Sequence, residues 1–173
     1  DALRTRDAEA AAAALRRARA SQPLIDALRA ELRGGQEVTT VAPMYRRRRR
    51  VLRRYNELAE RADYAMRNTR VLARRTFSAL GDDEPAAPEL ADLIEQLGSA
   101  ARALTAELGR DGEPERAREP VLQVVADAHE LQERWSPGPS EQVILAQVRS
   151  IALDLLQATG LTRAQALHDM RDG

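Results

Sequence analysis

The sequence predicts an all-α protein, a bundle of about six helices built around one long arginine-rich helix at about 44–80. Three observations predict it. Alanine, leucine, arginine and glutamate dominate, whereas aromatic residues make up only 3% of the chain, so its 43% hydrophobic content must build an aliphatic, helical core. Apolar residues recur three and four positions apart, the spacing of one helix face. Glycine and proline gather in short polar breaks between these patterns. With 173 residues the chain is long enough for one domain with a real core and short for two, so residues 1–173 read as a single helical domain.

The elements follow in order. RDAEAAAAALRRARAS has the composition of a helix with a weak, alanine-rich apolar face. QPLIDALRAELRGG continues with Leu24, Ile25, Leu28 and Leu32 on one side. Ser21 either caps a fresh helix with Pro23 in its first turn or lies within one kinked helix. Gly34-Gly35 is expected to end it, and GQEVTTVAP to connect. From Met44 to Leu80 no glycine or proline intervenes, and Leu52, Tyr55, Ala59, Ala62, Met66, Thr69, Ala73, Thr76 and Leu80 form a seam of heptad-like spacing. Such a helix is roughly 55 Å long. After the break GDDEPAAPE, Leu90, Leu93, Ile94, Leu97, Ala101, Leu104 and Leu108 mark another helix. GRDGEPER separates it from REPVLQVVADAHELQERW, and SPGPS leads to EQVILAQVRSIALDLLQAT with Ser140 as the expected N-cap. That last stretch has the widest apolar face and is expected at the centre. Gly160 stops it, and Thr162-x-x-Gln165 is a capping box for TRAQALHDM.

Catalytic and metal chemistry find no motif. The chain has no cysteine, and its two histidines, His129 and His168, stand far apart without a second ligand at metal spacing. There is no glycine-rich phosphate loop, and acidic pairs such as Asp82-Asp83 fall in loops or on polar faces. No enzyme, cofactor or metal site is predicted. No apolar run reaches the roughly 18 residues that span a bilayer. Starting at Asp1 without a methionine or a leader-like apolar region, the chain reads as a piece excised from a longer protein.

The zero net charge conceals two halves. Residues 1–80 carry 19 arginines against 9 acids, and residues 81–173 carry 8 arginines against 18 acids. The first half also holds Arg46, Arg47, Arg48, Arg49 and Arg50 in succession, followed by Arg53 and Arg54. Five consecutive helical residues circle the axis, so no single face holds them, and cations at a helix N-terminus oppose its dipole. An anionic contact is therefore expected for Arg46 to Arg54. The acidic half of the same chain is the first candidate. Helix lengths place Asp111, Glu113, Glu115 and Glu119 near the level of Glu57 to Arg61, roughly 15 Å short of the run. A second copy's acidic half, making a homo-oligomer, and anionic lipid headgroups are the other partners considered. Nucleic acid is disfavoured by the acidic second half and the lack of a helix-turn-helix.

PMYRRRRRVLRRYNELAERADYAMRNTRVLARR, with the closing VILAQVRSIALDLLQATGLTRAQAL, resembles the soluble C-terminal part of actinobacterial FUSC-family proteins, the fusaric-acid-resistance-like or aromatic acid exporter membrane proteins. The resemblance runs from the DAEAAAAALRRAR helix to the end. It implies a cytoplasmic helical domain at the inner face of the cell membrane, partnered by its own transmembrane part, that regulates or assembles an efflux protein and transports nothing alone. No catalytic motif is carried over.

Two other classes of function stay open. A small-molecule sensor could use Arg67, Arg70 and Arg74, near Tyr64, Asn68 and Phe77, as a clamp for an aromatic carboxylate. A nucleic-acid-binding protein would use Arg46 to Arg54.

Overall fold

The computed structural model describes residues 2–40, 46–109 and 113–172, with side chains described for 2–34, 51–108 and 113–171. These residues form α1 (Ala2–Thr5), α2 (Ala8–Ala20), α3 (Gln22–Thr40), α4 (Arg46–Gly81), α5 (Pro88–Gly109), a 3-10 turn (Pro114–Ala117), α6 (Arg118–Arg134), α7 (Pro139–Ala158) and α8 (Arg163–Asp172). No strand occurs among the described residues, and the all-α class expected from composition holds.

Helix boundaries follow local chemistry. The Asp7 carboxylate accepts from the Ala10 N–H at 2.9 Å and starts α2. The α1 and α4 ends share one device. Arg6 and Asp83 adopt left-handed φ of 52° and 54°. Each helix then closes with paired turn bonds, Asp7 N–H to Ala2 O at 2.9 Å and Glu84 N–H to Ala79 O at 2.8 Å. The Arg6 guanidinium pairs with the Asp83 carboxylate, so the two helix ends are tied together. Gly160, with φ 98°, stops α7 as expected. The Thr162–Gln165 capping box is present, with Thr162 N–H donating to Gln165 Oε1 at 2.9 Å.

Two expected boundaries are corrected, at Gly34-Gly35 and at Ser140, and the alternative left open at Ser21 is decided. The helix does not end at Gly34-Gly35, because α3 continues to Thr40 through the expected connector. Glycine weakens a helix by roughly 0.5–1 kcal/mol but stops it only where a left-handed turn supplies other bonds. Ser21 does not cap α3; its hydroxyl donates back to the Ala18 carbonyl at 2.8 Å. Ser140 is not the N-cap of α7, which begins two residues earlier than expected, at Pro139 with Gly138 as its N-cap. There the Glu141 carboxylate accepts from the Gly138 N–H and from the Ala87 N–H, both at 2.8 Å, while the Ser140 hydroxyl donates to Glu84.

Cross-links fix the topology. Gln22 meets Arg70 and Arg29 meets Asp63, so α2 and α3 run on as one interrupted rod antiparallel to α4. Glu84 meets Ser140 and Asn68 meets Asp154, so α7 is also antiparallel to α4. The chain thus does not fold back at Pro23. Residues 2–6 lie where α4 ends, beside Asp83 and Asp92, at the opposite end from Arg46. The core is aliphatic, with Leu90, Val121, Val124, Ile144, Val148 and Leu156 fully buried. Each such side chain contributes roughly 1.5–3 kcal/mol by leaving water.

Two features of this packing position the site. Helix α7 lies against α4, α5, α6 and α8, as its apolar face predicts. Helix α5 packs on α1, α6, α7 and the 3-10 turn rather than on α4. A furrow is left between α3 and α5, with α4 and α7 as its floor.

Candidate functional site: an apolar groove with one buried carboxyl

The furrow runs beside the middle of α4. Ala59, Ala62, Ala65 and Met66 of α4 and Ile151, Leu155 and Ala158 of α7 form its floor, Leu104, Thr105 and Leu108 of α5 one wall, and Leu28 of α3 with Tyr55 the other. Its volume is about 380 Å³. The alanines at 59, 62, 65, 101 and 158 keep it open, since none extends beyond Cβ. Ala59 is buried, whereas Tyr55 and Ala62 of the same seam are exposed.

One carboxyl opens into this apolar space. Asp154 is 7% exposed and lines the groove. Its Oδ2 accepts from the Asn68 amide at 2.9 Å, and Oδ1 has no hydrogen bond from a described residue. Burial pushes its pKa up from 3.8 to about 6, against the lowering effects of the Asn68 bond and the positive charges of Arg61 and Arg163. Arg61 stands at the rim, over the Tyr64 ring at 5.6 Å. The polar groups Thr69 and Thr105 are satisfied within their own helices, by Ala65 O at 2.8 Å and Ala101 O at 2.9 Å.

A second acid is buried for a different purpose. Asp63 is fully buried on the α3 side of α4, and its Oδ2 accepts from Arg29 at 2.7 Å and from Arg67 at 2.9 Å. Its Oδ1 has no hydrogen-bond partner among the described residues. This is a clip between α3 and α4. A second cavity of about 490 Å³ starts at Thr69 and continues between α2 and α5 past Ala11 and Thr76.

The residues singled out for a carboxylate clamp are drawn apart. Arg67 is engaged by Asp63, Arg70 by Gln22, Asn68 by Asp154, and the Tyr64 hydroxyl by Glu60 at 3.0 Å. Arg74 is exposed. Of this set, only Asn68 acts at the groove. Among the arginines of the run, the side chains of Arg46 to Arg50 lie outside the described residues. Arg53 and Arg54 are exposed and face Glu57, Glu113 and Glu115 across a cavity of about 650 Å³. Acids therefore reach the level of Arg53, about a turn nearer the run than helix lengths suggested. They are engaged locally, Glu113 with Arg116 at 3.0 Å and Glu115 with Arg118 at 3.6 Å. Asp111 lies outside the described residues.

Asp154 was not found by motif reading, because a single acid has no spacing. The one signal was its setting, an aspartate inside SIALDLLQA with Leu153 and Leu155 on either side. Among the described residues no three metal-ligating side chains come together, and no helix is long and apolar enough to cross a membrane.

No family model matches the chain, and no solved structure matches it. An uncharacterized protein of Corynebacterium glutamicum is 34% identical over 172 residues, an alignment covering 95% of this chain and 44% of that protein. The chain therefore spans less than half the length of the curated relative it matches.

Proposed function

We propose that this chain is the cytoplasmic regulatory and assembly domain of a membrane exporter of aromatic acids or related compounds, and that it transports nothing by itself. The observation that carries the reading is the alignment. Nearly the whole chain recurs, at 34% identity, inside a protein more than twice its aligned length, as a module of a larger protein does. The resemblance of the α4 and α7 sequences to the FUSC-family soluble part supplies the class.

In this reading α4 is the organising member of the bundle, and its N-terminal arginines are a contact surface. A membrane part joined on the Ala2 side stands at the far end of α4 from Arg46, about 50 Å away at 1.5 Å per residue. That distance favours the acidic half of a second copy over lipid headgroups as the partner of Arg46 to Arg54.

The test compares the full-length gene product with a version lacking residues 2–172. The full protein is expected in the membrane fraction and to lower cellular accumulation of an aromatic acid such as 4-hydroxybenzoate. The truncated protein is expected to stay in the membrane with export reduced. A full-length product found wholly outside the membrane fraction overturns the reading.

A further inference from the structure

A carboxyl is a costly group to place among leucine, isoleucine and alanine. Water solvates it far better than the groove does, and the raised pKa is the measure of that loss. A purely structural side chain here would need to do no more than receive the Asn68 amide, which uses Oδ2 alone. The second oxygen accepts no hydrogen bond from a described residue, and Asp154 is among the residues facing the groove. The threonines of the lining are already satisfied. Asp154 is thus the hydrogen-bond acceptor left open to the cavity.

We infer that the groove between α3, α4, α5 and α7 binds a small, mainly apolar organic molecule carrying one uncharged hydrogen-bond donor, held by the Asp154 carboxyl. The volume of about 380 Å³ lies at the lower end of the range of small-molecule sites. Mainly apolar walls with a few placed polar groups, here Asp154 within and Arg61 and Tyr55 at the edge, are the usual form of such sites. The donor is uncharged because Arg61 and Arg163 lie within electrostatic reach of Asp154 and repel a cation. A ligand anion is disfavoured by Asp154 itself. The class is therefore an alcohol, phenol, amide or secondary aromatic amine on an apolar body. The inference goes beyond the exporter reading and does not rest on it, since binding is measured on this chain alone.

N-phenyl-1-naphthylamine is a suitable probe. It has one N–H and brightens in apolar surroundings, and 1-phenylnaphthalene has nearly the same body with no donor. A saturable fluorescence rise with one site per chain is expected for the amine. Asp154→Ala weakens the amine about ten-fold, the worth of one hydrogen bond to a charged acceptor, and changes affinity for the hydrocarbon less than about two-fold. Asp154→Asn keeps the shape and gives a loss in the same direction, which covers the case of an Ala variant that fails to fold. Ala62→Phe, at an exposed floor position, blocks both probes. Absence of saturable binding overturns the inference. So does an equal loss for both probes in the Asp154 variants, which marks a structural role, or full binding by Ala62→Phe, which places the probe elsewhere.

Discussion

The Asn68 amide of α4 donates to the Asp154 carboxyl of α7 at 2.9 Å, joining residues 86 apart in sequence at the floor of an apolar groove. The bond offsets part of the cost of burying Asp154, yet burial still raises its pKa to about 6. The consequences for stability are measurable.

Between about pH 4 and pH 6 the folded protein keeps the Asp154 proton that the unfolded chain has lost. Stability from this group is therefore complete below about pH 4 and declines as pH rises through about 6. The groups facing it are Asn68 and Arg61 of α4 and Arg163 of α8. Asp154→Asn is expected to remove the decline and to stabilise the protein at pH 7 by about 1–3 kcal/mol. Urea unfolding of wild type and variant at a series of pH values, followed by the fluorescence of the single tryptophan, Trp135, measures the difference. Parallel stability–pH curves contradict it.

Asp63 answers to the opposite rule. It is ion-paired to Arg29 and Arg67, and removing it strands two cations that are 33% and 58% exposed and so partly rehydrate. Asp63→Ala is expected to cost about 2–4 kcal/mol in denaturant unfolding. Asp63→Leu, which refills the volume with apolar atoms, costs less. Equal losses for the two variants contradict a charge-pairing role.

The glycines separate by conformation. Gly34 is exposed within α3, and a methyl group added at its Cα would meet only open space, so Gly34→Ala is expected to raise stability by about 0.5–1 kcal/mol. Gly160 has equal space but φ 98°, so Gly160→Ala is expected to lower stability by about 1 kcal/mol. Thermal melts of the two variants should move in opposite directions. A rise for both removes the role assigned to Gly160.

Glu141 closes two backbone N–H groups, those of Gly138 and Ala87, and is 6% exposed. Glu141→Ala is expected to cost about 2–3 kcal/mol, because both donors lose their acceptor in a part-buried corner. Amide exchange at Ala87 should speed up in the variant by at least about ten-fold. An unchanged rate shows that water replaces the carboxylate at no cost.

The helices were legible because their signals are local. Composition, the α4 seam, the broad face of α7 and the Thr162–Gln165 box all act within one or two turns. The misread boundaries depended on partners outside the element. Ser140 looks like a cap until Glu84 is placed beside it, and Gly34-Gly35 looks like a stop where no left-handed turn follows. The groove was not legible, because it exists only where α5 stands off α4, a relation between helices rather than within one. Arg67, Arg70 and Asn68 share a helix, but Asp63, Gln22 and Asp154 draw them to three different neighbours. Residue types alone marked a polar cluster on α4 and carried no sign of which helix each member would meet.

The most direct measurement uses methionine. The chain has three, of which Met66 lines the groove and Met170 packs against the core away from it. With ¹³C-methyl methionine, titration by N-phenyl-1-naphthylamine is predicted to shift the Met66 methyl signal saturably and to leave Met170 in place. A Met66 signal that stays still while the probe binds, or a shift confined to Met170, contradicts a groove centred on Asp154.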